Sequence, residues 1–228
     1  MRGPRLDVKV VGVGGIGGAL VPFLARLLDA HEPPARLTLI DGDDFEARNR
    51  GRQAVPAYGN KATILAAELG RTFDRLSVRA VPEYIGEGNV SALIEEGDYV
   101  LLTVDNHPSR RVVSDHCSRL RDVVVISGGN ELYDGNVQVF TRRGGEERCP
   151  SLTRYHPEIA RAVGPLPGEG CDMQVSSAPQ LLVTNLAVAS AMLSAFYACL
   201  QGTLTYEEVY LDIVAGRMNP VARGRMQQ

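Results

Sequence analysis

Hydrophobic positions along the chain change period several times, and each change predicts an element. "DVKVV" is a short β-branched run, followed by the glycine-rich "GVGGIGG" and then "ALVPFLARLLDA", whose apolar residues recur at helical spacing. "ARLTLID" predicts a second strand ending at Asp41. From Asn60 to Phe73, "NKATILAAELGRTF" combines strong helix formers with one apolar face. A strand "LSVRAVPEYI", a short helix "GNVSALIEEG", a strand "DYVLLTVD" and a helix "HPSRRVVSDHCSRL" follow. The next strand, "DVVVISGG", is apolar almost without interruption, as a strand covered on both faces must be.

This alternation predicts an α/β fold with a doubly wound, mostly parallel, Rossmann-like sheet. Past residue 129 the rhythm changes. "ELYDGNVQVFTRRGGEER" predicts a hairpin turning at Asp134-Gly135, an antiparallel extension of the sheet. Residues 146–175, rich in Pro and Gly, predict a long crossover loop. A strand "EEVYLDIV" and a frayed tail "ARGRMQQ" are expected near the end. Between them, residues 176–202 carry no charge and are long enough to span a bilayer. Gln180, Thr184, Asn185 and several serines favour instead a helix packed in a soluble core or an oligomer interface, so no membrane span is expected.

Composition removes some partners. With 24 basic and 27 acidic residues the net charge is −3, which gives no basic field and no reason to expect nucleic acid. Of those basic residues only Lys9 and Lys61 are lysine, so a lysine in a suggestive place is informative. Cys117, Cys149, Cys171 and Cys199 are widely spaced and form no C-x-x-C pair, which suits reduced thiols. The N-terminus runs directly into a strand and leaves no room for a signal peptide, so a cytoplasmic location is expected.

The chemistry starts at Gly12, Gly14, Gly15 and Gly17, a G-x-G-G-x-G turn between strand and helix. Glycines let the backbone approach phosphate oxygens, and the helix N-terminus supplies N–H donors. Asp41 at the next strand tip fits a ribose, whose hydroxyls would donate to it. A dinucleotide needs little more on this side of the sheet. Instead Asn49, Arg52 and Gln53 follow, then Lys61 in "YGNK". Each alone fits a solvated loop. Together a guanidinium and an ammonium suit a triphosphate, neutralising its β- and γ-charges and a departing pyrophosphate. Asp105, in "LLTVDN", could hold Mg²⁺, cap the following helix or do both, and its place at a strand end slightly favours the metal.

The ordered series G-x-G-G-x-G (12–17), Asp41-x-Asp43, Asn49-x-x-Arg52-Gln53, Gly59-x-Lys61 and Asp105-Asn106 resembles the ubiquitin-activating-enzyme-like family of ThiF/MoeB type. The resemblance implies a single adenylation domain over residues 1–228. Its nucleotide-binding half would be 1–130 and its partner-binding, crossover half 131–228. The implied activity is ATP-dependent adenylation of the C-terminal glycine of a small ubiquitin-like or sulfur-carrier protein. Asp41 would hold the ribose and Asp105 the Mg²⁺. Asn49, Arg52 and Lys61 would line the triphosphate, with Asp43, Gln53 and Asn106 in the same nucleotide-binding set.

Three departures qualify the resemblance. Many relatives bind zinc through two C-x-x-C pairs, whereas here only Cys149 stands near the first, so no structural zinc is expected. The family's N-terminal helix, with its arginine, is missing or short, leaving Arg2 or Arg5 to replace it. The linker between Arg52 and Lys61 is shorter than in MoeB-like members. Cys171, in "PGEGCDMQVSSAP", resembles the cysteine some relatives use for a thioester or persulfide bond, and an ordinary loop cysteine fits equally well. "CPSLTRYHPEI" and the small size are similar to bacterial ThiF-like proteins of clusters such as the PRTRC system, which implies a conjugating-enzyme-like partner. A homodimer is expected, because a monomer would expose the charge-free helix. The competing readings are a nucleotide-binding scaffold without turnover, a tRNA-modifying ATP-dependent dehydratase and, last, a nicotinamide dehydrogenase.

Overall fold

The structure is a computed structural model and describes residues 5–49, 57–164, 166–168 and 181–222. The first half follows the expected alternation. Strand β1 (Asp7–Val11) leads into helix α1 (Gly15–Asp29) and β2 (Arg36–Ile40). A two-stranded ribbon, β3 (Asp44–Phe45) with β4 (Gly59–Asn60), precedes α2 (Lys61–Thr72) and β5 (Ser77–Val81). The short α3 (Val90–Leu93), β6 (Tyr99–Leu102), α4 (His107–Cys117) and β7 (Val123–Asn130) complete this half.

β5, β2, β1, β6 and β7 lie side by side and parallel. Their alternating side chains feed two cores, as burial on both faces requires. One face, with Val8, Val10, Leu37 and Leu39, is covered by α1 and α2. The other, with Val11, Ile40, Val100 and Leu102, is covered by α3 and α4. Lys9, the first of the chain's two lysines, pairs with Asp98 at 3.5 Å.

After β7 the sheet continues antiparallel, with β8 (Asp134–Arg143), β10 (Glu208–Asp212) and β11 (Arg217–Val221) in that spatial order. β9 (Glu146–Cys149) also pairs with β8, giving a mixed sheet of nine strands among the described residues. Two sequence expectations need correction here. Asp134-Gly135 is not a turn: it begins β8, and the chain reverses at Glu131–Tyr133, where the Glu131 N–H reaches the Asp134 carbonyl at 2.9 Å. Gly135 serves packing instead, since a Cβ there would lie 2.5 Å from Val188 on the last helix. The crossover segment is not wholly irregular. It holds β9 and two single-turn helices, α5 (Leu152–Tyr155) and α6 (Pro157–Ala160), whose Leu152 and Ile159 complete the second core. Ahead of the expected tail, residues 217–221 add β11, where Pro220 is accommodated because that strand is the sheet edge; past Ala222 the tail lies outside the described residues.

The charge-free segment forms α7 (Leu182–Gln201), long and apolar enough to cross a membrane. It is two-faced rather than buried all round. Val188, Met192 and Phe196 pack into the core beside α1, β7 and β8, whereas Val183, Leu186 and Tyr197 are exposed. Its polar residues are used: Thr184 donates to the Leu132 carbonyl at 2.8 Å, and Asn185, fully buried, accepts from Asn130 at 3.0 Å.

The fit of α1 against the sheet gives a direct test. A Cβ on Gly17 would meet the Gly12 carbonyl oxygen at 2.1 Å and Thr103 Oγ1 at 2.7 Å, whereas one on Gly18 has only an ordinary contact at 3.5 Å. Urea unfolding of Gly17→Ala is expected to show a loss of about 2 kcal/mol or more. Gly18→Ala, in the same helix, gains about 0.5–1 kcal/mol from helix propensity.

Candidate functional site

The chain leaves β1 for α1 on one face of the sheet and leaves neighbouring β6 for α4 on the other. The strand ends therefore part and open a crevice at this switch point. Every sequence-predicted site residue that the structure describes lies on a loop or helix start following a strand of this region or the β3–β4 ribbon. Arg52, Gln53 and Cys171 lie outside the described residues.

The glycine turn is held from both sides. Gly12 has φ +88°, its N–H reaches the Ile40 carbonyl at 2.9 Å, and its carbonyl accepts the Thr103 hydroxyl. A Cβ on Gly12 would sit 3.0 Å from the Thr103–Val104 backbone, and one on Gly15 would collide with Asn185. So Gly12, Gly15 and Gly17 let three elements meet, while Gly14 occupies the N-cap of α1. That cap supplies no side-chain hydrogen bond, and the first turn carries no acid. The first-turn N–H groups and the positive end of the helix dipole thus face the crevice without an internal anion.

Asp41 braces this turn. Its two carboxylate oxygens accept the Val13 N–H at 2.6 Å and the Asp43 N–H at 2.8 Å. Burial pushes its carboxyl above the usual carboxylate range, opposed by the Lys61 ammonium and the Val13 amide. Lys61 opens α2 with its ammonium buried and bonded to Asp43 Oδ2 at 2.7 Å. Asp43 also accepts the Tyr84 hydroxyl, and burial followed by that carboxylate pushes the Tyr84 phenol above its ordinary value. Asn49 is buried in the turn after β3, where its side chain accepts the Glu46 N–H at 2.8 Å.

At the end of β6 the two residues of the Asp-Asn pair divide their work. Asn106 is the N-cap of α4, accepting the Ser109 N–H at 2.9 Å, and Asp105 is exposed. The cap role weighed for Asp105 therefore belongs to its neighbour, which leaves that carboxylate outside the capping bond.

Sequence reasoning passed over four residues that the site uses. Asn60 caps α2 through Thr63 and donates to the carbonyls of Asp41 and Asp43 at 2.9 and 3.2 Å, tying the helix start to the acidic strand tip. Its sequence signal was an Asn before a helix with Thr three residues on. Thr103 and Tyr84 gave no signal, because their roles depend on contacts with distant strands. Arg110 is the fourth: its guanidinium donates to the Val104 and Gly128 carbonyls at 2.6 and 2.8 Å and to Ser127 Oγ at 2.5 Å.

The thiols separate by burial. Cys117 and Cys149 are buried, Cys199 is half-buried, and burial pushes the Cys117 thiol up to about 12. Burial closes Cys117 and Cys149 to reagent, and at Cys117 the raised thiol also withholds the reactive thiolate, so iodoacetamide at pH 8 is expected to leave both unmodified in the native protein. Peptide mass mapping should find both alkylated only after denaturant is added.

With this geometry in place, the likeness to known proteins is specific. The profile of the ThiF family matches residues 4–224. The chain is 28% identical over 190 residues to the SAMP-activating enzyme E1 of Haloferax volcanii, covering 77% of this chain and 67% of that protein. Against the molybdopterin-synthase adenylyltransferase of Escherichia coli it is 29% identical over 157 residues, covering 67% and 61%. Among solved structures, E. coli MccB with ATP superposes with a TM-score of 0.69 at 16% identity, over 97% of this chain and 65% of that one, a likeness of fold. The chain thus spans about two thirds of the length of these relatives.

Proposed function

The chain belongs to the ThiF family, and on that premise we propose that it is an ATP-dependent adenylyltransferase. Its substrate would be the C-terminal glycine of a small ubiquitin-like or sulfur-carrier protein. The observation that carries this reading is the glycine-bounded, uncapped N-terminus of α1 at the switch point, with Asp41, Lys61 and Asp105 on the loops and helix starts around it. The names of the two relatives, an activating enzyme and an adenylyltransferase, support it.

In the proposed reaction the glycine carboxylate attacks the α-phosphorus of ATP, the bond to the bridging oxygen breaks, and pyrophosphate leaves. No general base is required, because the nucleophile is already ionised. The protein's part is positioning and charge stabilisation. The first-turn N–H groups of α1 receive phosphate oxygens, Asp41 faces the ribose, and Lys61, exchanging Asp43 for phosphate, offsets the growing negative charge. The family series would add Asn49, Arg52 and Gln53 to the nucleotide-binding set, of which Arg52 and Gln53 lie outside the described residues.

Mg²⁺ at a nucleotide is held by one or two carboxylates together with phosphate oxygens and water. We assign the protein's share of that coordination to Asp105, whose carboxylate is exposed at the end of β6 and takes no part in the capping bond of α4. When bound, the ion supplies charge neutralisation of the phosphates.

ATP–pyrophosphate exchange tests the proposal. Exchange is expected only with a partner ending in glycine, and Asp105→Asn or Lys61→Met should each lower it about a hundredfold. ATP binding without exchange, unaltered by Arg52→Ala, would mark a scaffold. Tight tRNA binding at physiological salt would mark the dehydratase instead. Retention of a thioester-linked partner on the wild type but not on Cys171→Ala would extend the reaction to that cysteine.

The exposed face of α7 supports a homodimer. Val183, Leu186 and Tyr197 recur at helical spacing on it, and Phe23 stands exposed on neighbouring α1. Light scattering should find a dimer for the wild type and a monomer for Leu186→Arg. A monomeric wild type removes this part of the proposal.

A further inference from the structure

Arg110 lies in the second turn-forming stretch of α4 with only 9% of its surface exposed, and its partners are all uncharged oxygens. Among the described residues no carboxylate forms an ion pair with it, and the opposing charge acting on it is that of Asp105. Burial pushes its guanidinium down to about 10, with Asp105 working against that shift. Burying a cation without an ion-pair partner is costly on the scale of a whole domain's margin of stability. A methionine or leucine would fill this volume at no such cost, so the geometry of its hydrogen bonds needs a reason.

The bonds all converge on one place. Val104 immediately precedes Asp105, and Ser127 and Gly128 are at the crevice end of β7, which pairs in parallel with β6. The adjoining "SGG" provides the room: a Cβ on Gly129 would lie 3.2 Å from the guanidinium, and one on Gly128 would strike Met192 of α7. The planar fork therefore spans the gap between two strand ends just where they stop pairing, with donors on two separate nitrogens, whereas an ammonium carries all of its donors on one.

We propose that Arg110 is a positioning residue for nucleotide-bound Mg²⁺: by gripping the Val104 carbonyl and the end of β7, it fixes the turn that presents Asp105 to the crevice. This rests on the adenylation reading above. Groups that orient a metal's direct ligand typically change metal affinity about tenfold to a hundredfold when removed.

The test is ATP binding by calorimetry across a Mg²⁺ titration, with EDTA as the metal-free reference. Arg110→Lys, which keeps the charge and loses the fork, is expected to raise the half-saturating Mg²⁺ concentration about tenfold while leaving metal-free ATP affinity within about twofold. In an Asp105→Asn background the same substitution should add nothing, because the residue it acts through is gone. Equal weakening with and without Mg²⁺, or an undiminished effect in the Asp105→Asn background, would assign Arg110 to the scaffold alone and overturn the proposal. Should Arg110→Lys fail to fold, Ser127→Ala removes one bond of the fork and must show the same split at smaller size; no split overturns the idea. A wild type that binds ATP with Mg²⁺ dependence keeps the adenylation reading whichever way Arg110 falls, whereas a wild type that binds no ATP removes both.

Discussion

The approach of the Gly12 turn to the Thr103–Val104 backbone is the constraint on which the rest of the site depends. β1 and β6 pair only as far as Val11 and Leu102. Beyond that point the Thr103 hydroxyl and the Gly12 carbonyl continue the contact, in a space where no Cβ fits. Parallel strands that separate here must send their chains to opposite faces, and the N-terminus of α1 is left pointing into the opening. Moving this junction apart would displace the phosphate-facing amides, the brace from Asp41 to Val13, and the loop that carries Asp105 together.

Around that junction the polar groups form a short chain of dependencies. Asp41 holds the glycine turn and the Asp43 amide; Asp43 holds Lys61 and Tyr84; Asn60 links the carbonyls of both acids to α2. On the other side Asn106 caps α4, and Arg110, one turn along, reaches back to Val104. Asp41 and Arg110 are both buried, and in each case burial disfavours the charge that the contacts require. Such strain is tolerable where neighbouring groups are pre-arranged to receive a charged ligand.

The elements of the first half were legible because each one is locally consistent. β-branched runs, a glycine turn and amphipathic helices agree with the positions they occupy. Beyond residue 129 local signals misled. Asp134-Gly135 has the composition of a turn, yet the glycine is there because α7 presses on β8 through Val188. Residues 217–221 have no strand pattern, since both faces of an edge strand are exposed and Pro220 interrupts the donors; β10 alone recruits them. The charge-free helix gave no local sign of its two faces, whereas Val188, Met192, Phe196 and Asn185 face the core and Leu186 and Tyr197 face outward. Of the site, the glycines, Asp41, Lys61 and Asp105 stood out by spacing, while Thr103, Tyr84 and Arg110 did not, because nothing in their own neighbourhood distinguishes them.

The sequence by itself determined the strand–helix alternation, the glycine turn and the place of Asp41 beside it. These follow from local sterics and from the periods that burial imposes. Tertiary structure decided which group contacts which. It gave the helix cap to Asn106 rather than Asp105, set Lys61 on Asp43, and placed Arg110 across the ends of two strands. Those choices turn on differences of an ångström between elements distant in the chain, and hydrogen-bond strength at such distances depends on packing that no local pattern encodes.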